Sequence, residues 1–447
     1  MLNTNFRTMA LNNRESAIIQ DTGDPGMYRY DRFIPRSYQR FITGIGEELK
    51  KGNNVILRIP APNLNDNFLR SLQRIIREHA GPELEILDAG RKTDYKSLLS
   101  FLNDELSLRN KTDRKKNIQA HFKSESGTFS ALILHGLDSW SEASQKQVSV
   151  ELSHIVSFTR NEGRNRGRLE GRRFLALVSP LFNLPPDSEG LSILNWWGVT
   201  TPADHEFLFE EYINDRRESM PQAMYWWLKA ISHSVGGDDP QLIEAIVERA
   251  PRTLDEVGEI LLQHNPSKSR LGQSDYHRHF LFRKLSPDPG RAPSQKSDRR
   301  LWSLGLLAPN RYSLYHPVML TLDPAILEKT IAMGQREVFF PLIDQVHAFI
   351  TYVVEEKIGS LEHLFQDDPE SDKKYEKILS EISFLHYSLQ NLVKGSVQEF
   401  PETQSLCALS KLWTNIRNLS AHVRMLPYEY LEKAISHYES LYQSMIR

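Results

Sequence analysis

The stretch Asn54-Val55-Ile56-Leu57-Arg58-Ile59-Pro60 decides the fold class. This short β-branched run follows a Lys-Gly-Asn-Asn turn and leads into a helical pattern from Asn67 to His79, which predicts a strand, a loop and a helix in that order. The alternation continues along the chain, with further strands predicted at Leu84–Asp88, Phe129–His135 and Arg173–Ser179 and helices at 94–108 and 142–157. Four apolar strands separated by helices are typical of a parallel sheet in an α/β domain.

Composition narrows the class of protein. The 447 residues exceed one comfortable hydrophobic core, so we expect two to four domains. The formal net charge of −2 excludes nucleic-acid binding by bulk charge and leaves only local basic patches for that role. Cys407, the single cysteine, excludes an intrachain disulfide and a zinc site built from thiolate pairs. Because the N-terminus lacks an export-signal pattern and no apolar run reaches about 18 residues, we expect a cytoplasmic protein without a membrane segment.

The domain organisation follows from where the strands stop. The predicted fold is multidomain α/β plus all-α: an N-terminal extension at 1–27, an α/β core at 28–202, a helical lid at 203–274, a winged-helix-like segment at 275–334 and a helical bundle at 335–447. A Pro-Asn-Arg turn between two apolar arms predicts a small β-wing at Leu306–Leu314. Breaks at 367–370, 400–401 and 426–427 leave four helical segments in the last part, which predicts an independent bundle.

The order of these parts carries a resemblance. Strand-helix pairs, a helical lid with Val235-Gly236-Gly237-Asp238-Asp239-Pro240-Gln241-Leu242-Ile243, and Arg300-Leu301-Trp302-Ser303-Leu304-Gly305-Leu306-Leu307 before the wing resemble the core of AAA+ and STAND-type P-loop ATPases with their winged helix. The resemblance covers residues 28–322 approximately and rests on the order of the predicted elements. It implies a P-loop-like parallel-sheet core, and a winged helix that contacts DNA or packs against its neighbours.

The phosphate-binding chemistry of that family is missing from the sequence. A phosphate loop needs glycines, whose backbone N–H groups wrap phosphates, and a lysine. The corresponding turn, 59–67, has neither, and Pro60 and Pro62 lack N–H groups. His135 and Gly136 replace the acids that hold magnesium, and Asp138 follows two residues late. We therefore predict a pseudo-ATPase without a cofactor, acting as a scaffold, a partner of an active ATPase in a larger complex, or a nucleic-acid platform.

A basic segment separates the predicted helix at 142–157 from the following strand. It contains six arginines and two glutamates with interleaved glycines, and the arginines are Arg160, Arg164, Arg166, Arg168, Arg172 and Arg173. Arginine forks match phosphate geometry, and glycine lets a chain adapt to a nucleic-acid backbone. We predict nucleic-acid contacts here, with a solvated loop as the alternative.

The sharpest chemical motif lies in the last quarter of the chain. Within Leu412–Arg424, Arg417-Asn418 and His422 form an R-N-x3-H pattern that resembles the signature of the HEPN superfamily. Its members are four-helix bundles and often metal-independent ribonucleases. Arg74 with His79 and Arg311 with His316 show similar spacing by chance, but neither pair belongs to a predicted bundle.

The resemblance implies a mechanism for RNA cleavage. His422 is the predicted general acid/base for the ribose 2′-OH, and Arg417 the clamp for the charge that builds on the phosphorane oxygens. Asn418 is expected to share a helix face with His422 and to orient the imidazole or the ribose, and Arg424 to bind an adjacent phosphate. On an ideal helix Arg417 and His422 point about 140° apart. The family solves this problem by dimerising, so we expect a homodimer with RNA as substrate.

The combined resemblance implies a cytoplasmic defence- or toxin-type effector, in which a degenerate ATPase module controls a ribonuclease. The runner-up is a non-enzymatic adaptor, in which the α/β module and winged helix bind DNA or a partner ATPase and the bundle only dimerises. An unrelated bundle and a working ATPase with an unusual phosphate loop are the remaining alternatives.

Overall fold

The computed structural model describes residues 36–64, 66–80, 83–92, 94–106, 114–122, 130–159, 171–199, 202–214, 216–236, 239–265, 293, 295–307, 315–358, 371–395 and 401–446. The predicted N-terminal extension lies outside the described residues. Four arginines of the basic segment do so too, and they are Arg160, Arg164, Arg166 and Arg168.

A parallel sheet forms the first half of the described chain. Its strands are β1 (Asn54–Arg58), β2 (Glu83–Asp88), β3 (Ser130–His135), β4 (Arg172–Val178) and β5 (Leu191–Asn195), in the spatial order β2-β3-β4-β1-β5. Every described pairing is parallel, which confirms the predicted α/β core. β5 was not predicted, because all five of its residues are only half-buried and the short sequence LSILN therefore lacks the signature of a buried strand.

Helices cover both faces of the sheet. They are α1 (Arg36–Lys50), α2 (Asp66–Ala80), α3 (Leu98–Glu105), α4 (Arg114–Phe122) and α5 (Glu142–Thr159). Successive side chains of a strand point to opposite faces of the sheet, so each face has its own hydrophobic core. Val55 and Leu57 of β1 pack with α1 and α2, while Ile56 between them packs with α3, α4 and α5. Asn54, which is fully buried at the start of β1, donates to Thr159 Oγ1 at 2.7 Å and accepts from the amide of Phe174.

The second half of the described chain is helical. Its helices are α6 (Pro202–Asn214), α7 (Gln222–Val235), α8 (Pro240–Arg249), α9 (Leu254–Gln263), α10 (Lys296–Ser303), α11 (Pro324–Ile358), α12 (Ser371–Ser380), α13 (Ile382–Gly395), α14 (Pro401–Ala421) and α15 (Tyr428–Ile446). The second predicted segment of the bundle is divided at Glu381 into α12 and α13.

The predicted boundary between lid and bundle falls inside a helix. α11 runs uninterrupted through 334 and 335, and the buried residues of α6 to α9 join those of α11 to α15 in one hydrophobic cluster. The ring of Trp227 in α7 lies 5.7 Å from that of Tyr428 in α15. The bundle is therefore not independent of the lid. The sequence did not reveal this because helical periodicity identifies a buried face without identifying its partner.

The segment predicted as a winged helix packs against the sheet. In α10, Trp302 is 1% exposed, lies 5.4 Å from Trp197 and donates its indole N–H to the carbonyl of Trp196. Leu307 and Tyr315 form an isolated antiparallel bridge, and the residues between them lie outside the described part of the chain, so the wing stays a prediction.

Among the described residues, one helical span, Pro324–Glu356, is long and apolar enough by composition to cross a membrane. Of its most apolar window, 56% is buried inside the fold, as in the core helix of a globular domain, and this span alone is insufficient evidence for a membrane segment.

Candidate functional site

The end of α14 positions the R-N-x3-H residues. Leu409, Trp413 and Ile416 anchor the helix in the core, Arg417 is half-buried beside them, and Asn418 is exposed. That Asn418 and His422 share a helix face stays a prediction, and the backbone hydrogen bond between them has the i to i−4 spacing of an α-helix. α14 ends at Ala421, and His422 lies exposed in the following turn, with its backbone N–H donating to the carbonyl of Asn418 at 3.1 Å.

The Arg417 guanidinium already has two partners. Nη2 donates to Glu381 Oε2 and Nη1 to Asn418 Oδ1, both at 3.3 Å. The two ion-paired side chains are 36% and 42% exposed. Because exposed ion pairs contribute only about 0–1 kcal/mol, a phosphate can displace Glu381. Asn418 orients the arginine in this fold and makes no described hydrogen bond to the imidazole of His422.

Arg424 is the last of the predicted site residues at the end of α14. It is exposed two residues beyond His422, and its backbone N–H closes the turn on the carbonyl of Leu419. Val423 between them has a φ of 52°, a left-handed conformation that sends the chain away from the helix axis. The fold therefore joins Arg417 to Asn418 and places His422 and Arg424 in the adjacent exposed turn.

The two described arginines of the basic segment have structural partners. Arg172 pairs with Glu85 at 3.2 Å and contacts His121, whose pKa is lowered to about 4 by burial and by the charge of Arg172. Arg173 is 1% exposed, and its Nε donates to the carbonyl of Gly52 at 2.7 Å. Arg173 is therefore removed from the predicted nucleic-acid contacts, because a buried guanidinium cannot reach a phosphate backbone.

The turn after β1 has few donors left for a phosphate. Pro60 and Pro62 have no N–H groups. The N–H of Ile59 donates to β4, and those of Asn63 and Leu64 donate within the turn, to the carbonyls of Pro60 and Ala61. From 59 to 64, Ala61 alone keeps an N–H without a described backbone acceptor. These hydrogen bonds support the prediction that the turn is not a phosphate loop.

The carboxyl end of β3 is occupied by a close backbone contact. Gly136 has a φ of 77°, and a Cβ there would lie 2.3 Å from the amide nitrogen of Gly90, so only glycine fits. The turn places Asp138 where Oδ2 accepts from the Ser179 amide at 2.8 Å, while Oδ1 has no partner among the described residues. Burial raises the pKa of Asp138 to about 6.

An arginine at the same edge of the sheet was missed from the sequence. Arg58, the last residue of β1, donates from Nε to Asn195 Oδ1 at 2.6 Å, and its guanidinium carbon lies 5.6 Å from the ring centroid of Trp302. Burial and the charge of Arg299 in α10 lower the pKa of Arg58. A charged residue ending an apolar strand was a usable signal, but nothing local connects Arg58 to Arg299.

No group of three or more His, Cys, Asp or Glu side chains suited to a metal ion occurs among the described residues.

Comparison with known proteins gives structural neighbours only. No protein family and no curated protein matches the chain. The Aeropyrum pernix ORC2 protein matches with 13% identity over 70% of this chain and 96% of its own, and a TM-score of 0.29. Cdc6p from Pyrobaculum aerophilum matches with 11% identity over 96% and 98%, and a TM-score of 0.29. Drosophila ORC bound to poly(dA/dT) DNA and Cdc6 matches with 12% identity over 91% and 70%, and a TM-score of 0.23. At these scores the neighbours carry no argument about function.

Proposed function

We propose that this chain is a metal-independent endoribonuclease whose active residues are Arg417 and His422. The observation that carries the proposal is the end of α14, where a half-buried arginine that donates to Asn418 is followed five and seven residues later by an exposed histidine and an exposed arginine. These are the residue types that RNA cleavage without a metal requires, in the order of the HEPN signature that the sequence resembles.

The proposed reaction assigns one task to each group. A His422 imidazole takes the proton from a ribose 2′-OH, the 2′-oxygen attacks the adjacent phosphorus, and the bond to the 5′-oxygen breaks. A protonated His422 of the second subunit gives the leaving 5′-oxygen its proton, so the products carry a 2′,3′-cyclic phosphate and a 5′-OH. Arg417 leaves Glu381 and binds the phosphorane oxygens through its two Nη groups. Arg424 binds the next phosphate.

A homodimer supplies the second histidine. Arg417 is half-buried beside the core, and His422 lies beyond the helix end, where it is exposed to solvent in a single copy. Two copies that meet at the ends of α14 place four catalytic side chains around one phosphate. In the cell this activity suits a defence- or toxin-type effector, which is silent until a signal assembles it.

The α/β module is proposed as the regulator rather than a second enzyme. Its turn at 59–64 keeps only the backbone N–H of Ala61 without a described backbone acceptor, and the end of β3 carries the Gly90–Gly136 contact in place of paired acids. Such a module keeps the shape of an ATPase core and receives a partner, such as an active ATPase or DNA.

Cleavage of a mixed RNA pool in EDTA tests the proposal. We expect wild type to produce cyclic-phosphate ends and to arrest growth on expression, and Arg417→Ala and His422→Ala to do neither. His154→Ala removes an exposed histidine from α5 and is the matched control, which should cleave like wild type. Cleavage that persists in both Arg417→Ala and His422→Ala would refute the proposed mechanism.

A second function, a non-enzymatic adaptor, is favoured by the Arg417–Glu381 ion pair and by the core shared between lid and bundle. A neutralised arginine on a rigid helical domain suits a protein-binding scaffold. Folded, dimeric wild type that neither cleaves RNA nor arrests growth with its partner present favours this alternative.

A further inference from the structure

We propose that a groove between α11 and α12 binds a linear polyamine, with one ammonium group at each end of the groove. The groove has a volume of about 460 Å³, which is in the range of small-molecule sites. One face of α11, from Asp344 to Glu355, forms its long side, and Leu379 and Ser380 at the end of α12 form the other. This proposal is independent of the nuclease proposed for α14.

The two carboxylates of the groove lie at a fixed separation along α11. The eleven residues from Asp344 to Glu355 make three helical turns and about 20°, so both side chains are on one face, with their Cα atoms about 16 Å apart. Both residues are exposed. Among the described residues that line the groove, none is a lysine or an arginine. An acid at each end of a long groove fits a ligand that carries a cation at each end.

Polar atoms between the two acids indicate a ligand that donates hydrogen bonds. His347 lines the groove, is only 8% exposed, and donates from Nε2 to the carbonyl of Ile378 at 2.7 Å. Because a carbonyl oxygen only accepts, Nε2 carries the hydrogen, and the neutral imidazole keeps Nδ1 as an acceptor without a described partner. Thr351 also lines the groove, and its buried Oγ1 has no partner among the described residues. Unpaired buried polar atoms cost free energy, which N–H donors of a ligand would offset.

The end of α12 adds negative charge to the same groove. The last carbonyl groups of an α-helix have no intrahelical donor and form the negative end of the helix dipole. Ser380 is the last residue of α12 and lines the groove, and the nearby carbonyl of Ile378 already accepts from His347. This charge favours a bound cation and disfavours an anion.

Apolar surface on both sides of the groove suits the methylene groups of a polyamine. Tyr352 of α11 is 59% exposed and Leu379 of α12 is 44% exposed, and both line the groove. Alkyl chains between charged groups pack on such surfaces, and the face of a tyrosine ring also attracts an ammonium group. The groove therefore alternates acidic and apolar surface, as a polyamine alternates ammonium groups and methylene chains.

The groove fits a polyamine better than a basic peptide. A peptide brings backbone carbonyl groups that need hydrogen-bond donors. The long side of the groove is the middle of α11, where backbone N–H groups are used within the helix, and the two carboxylates and Nδ1 of His347 only accept. A polyamine has N–H donors and no acceptor to satisfy when it is protonated.

Calorimetric titration of the full chain with spermine, spermidine and putrescine tests the proposal, at about 0.15 M salt to screen non-specific attraction. We expect spermine to bind saturably, and putrescine, which is too short to reach both carboxylates, to bind about tenfold or more weakly. Asp344→Asn and Glu355→Gln should each weaken spermine binding about fivefold. Glu356→Gln removes the adjacent exposed acid, which does not line the groove, and as the matched control should bind like wild type.

Ala348→Leu distinguishes the groove from a merely acidic surface. Ala348 is exposed one helical turn after Asp344 and lines the groove, so this change fills the groove while keeping every charge and leaving the core intact. Spermine binding should fall at least tenfold, with an unchanged thermal melt. Absence of saturable spermine binding, unchanged binding in Ala348→Leu, or an equal loss in Glu356→Gln and Glu355→Gln overturns the site. Tighter binding of a trilysine peptide than of spermine refutes a polyamine and assigns the groove to a basic peptide.

Discussion

Replacing Gly334 by alanine tests whether the lid and the bundle are one folded unit. Gly334 lies in α11 against α7, where an added Cβ would meet the carbonyl oxygen of Ala230 at 2.5 Å and Cβ of Ser234 at 2.6 Å. Neither atom can rotate away, so the two helices must separate and lose packing. Overpacking of this kind costs about 1–3 kcal/mol, and alanine returns about 0.5–1 kcal/mol of helix propensity. We expect a net loss of roughly 1–2 kcal/mol.

Gly258→Ala is the matched control. Gly258 lies inside α9 of the same helical domain, and nothing stands within 4 Å of its added Cβ. Only the propensity term remains, so this variant should gain about 0.5–1 kcal/mol. Urea unfolding followed by tryptophan fluorescence measures both variants, because Trp227 and Trp413 are buried in the shared core. If Gly334→Ala is as stable as Gly258→Ala, α7 and α11 are not packed as described and the shared core is wrong.

Three further outcomes follow from particular contacts. Glu381→Gln should increase RNA cleavage by releasing Arg417, while changing the free energy of unfolding by less than about 1 kcal/mol; reduced cleavage contradicts competition for the guanidinium. Asp138→Asn should become more stable relative to wild type as the pH rises from 3.8 to about 6, by on the order of 2 kcal/mol. The folded protein holds the Asp138 proton across this range, so wild type loses stability there; parallel pH profiles in thermal melts count against burial of this carboxyl. A fragment of residues 335–447 should lack a cooperative melt by circular dichroism, because its core packs on α7.

The sheet could be predicted from sequence because its central strands are buried on both faces. Val55, Ile56 and Leu57 belong to apolar runs that only a covered parallel sheet explains. β5 could not be predicted in this way, because it lies at the edge of the sheet and is only half-buried. The predicted boundary at 334/335 is wrong for a different reason: helical periodicity does not identify packing partners, and Gly334 lies inside α11, where it permits the close approach of α7.

Residues of the candidate sites could be predicted from sequence only where they are close together in the chain. Arg417, Asn418 and His422 are close in sequence, so their spacing was visible, whereas the Glu381 contact depends on how α14 packs beside α13. Arg58 contacts Asn195 and Trp302, which come from elements far apart in the chain, so only the folded structure brings these residues together. The burial of Arg173 likewise depends on tertiary packing, because the sequence around an arginine at the start of a strand is equally compatible with an exposed loop.

A packed cluster connects the α/β module to the helical domain, and it limits how the proposed regulation can work. Trp197, Trp302 and Met319 belong to this cluster, and Leu320 beside it already belongs to the helical core. Trp302 also carries Arg58 on its ring. Any movement of α10 therefore repacks Trp302 against Trp197 and shifts the ring on which the Arg58 guanidinium lies. Because packed interiors are not continuously deformable, such repacking occurs between discrete arrangements, which is what a switch needs. We therefore expect a partner bound at the α/β module to act on the helical domain through α10.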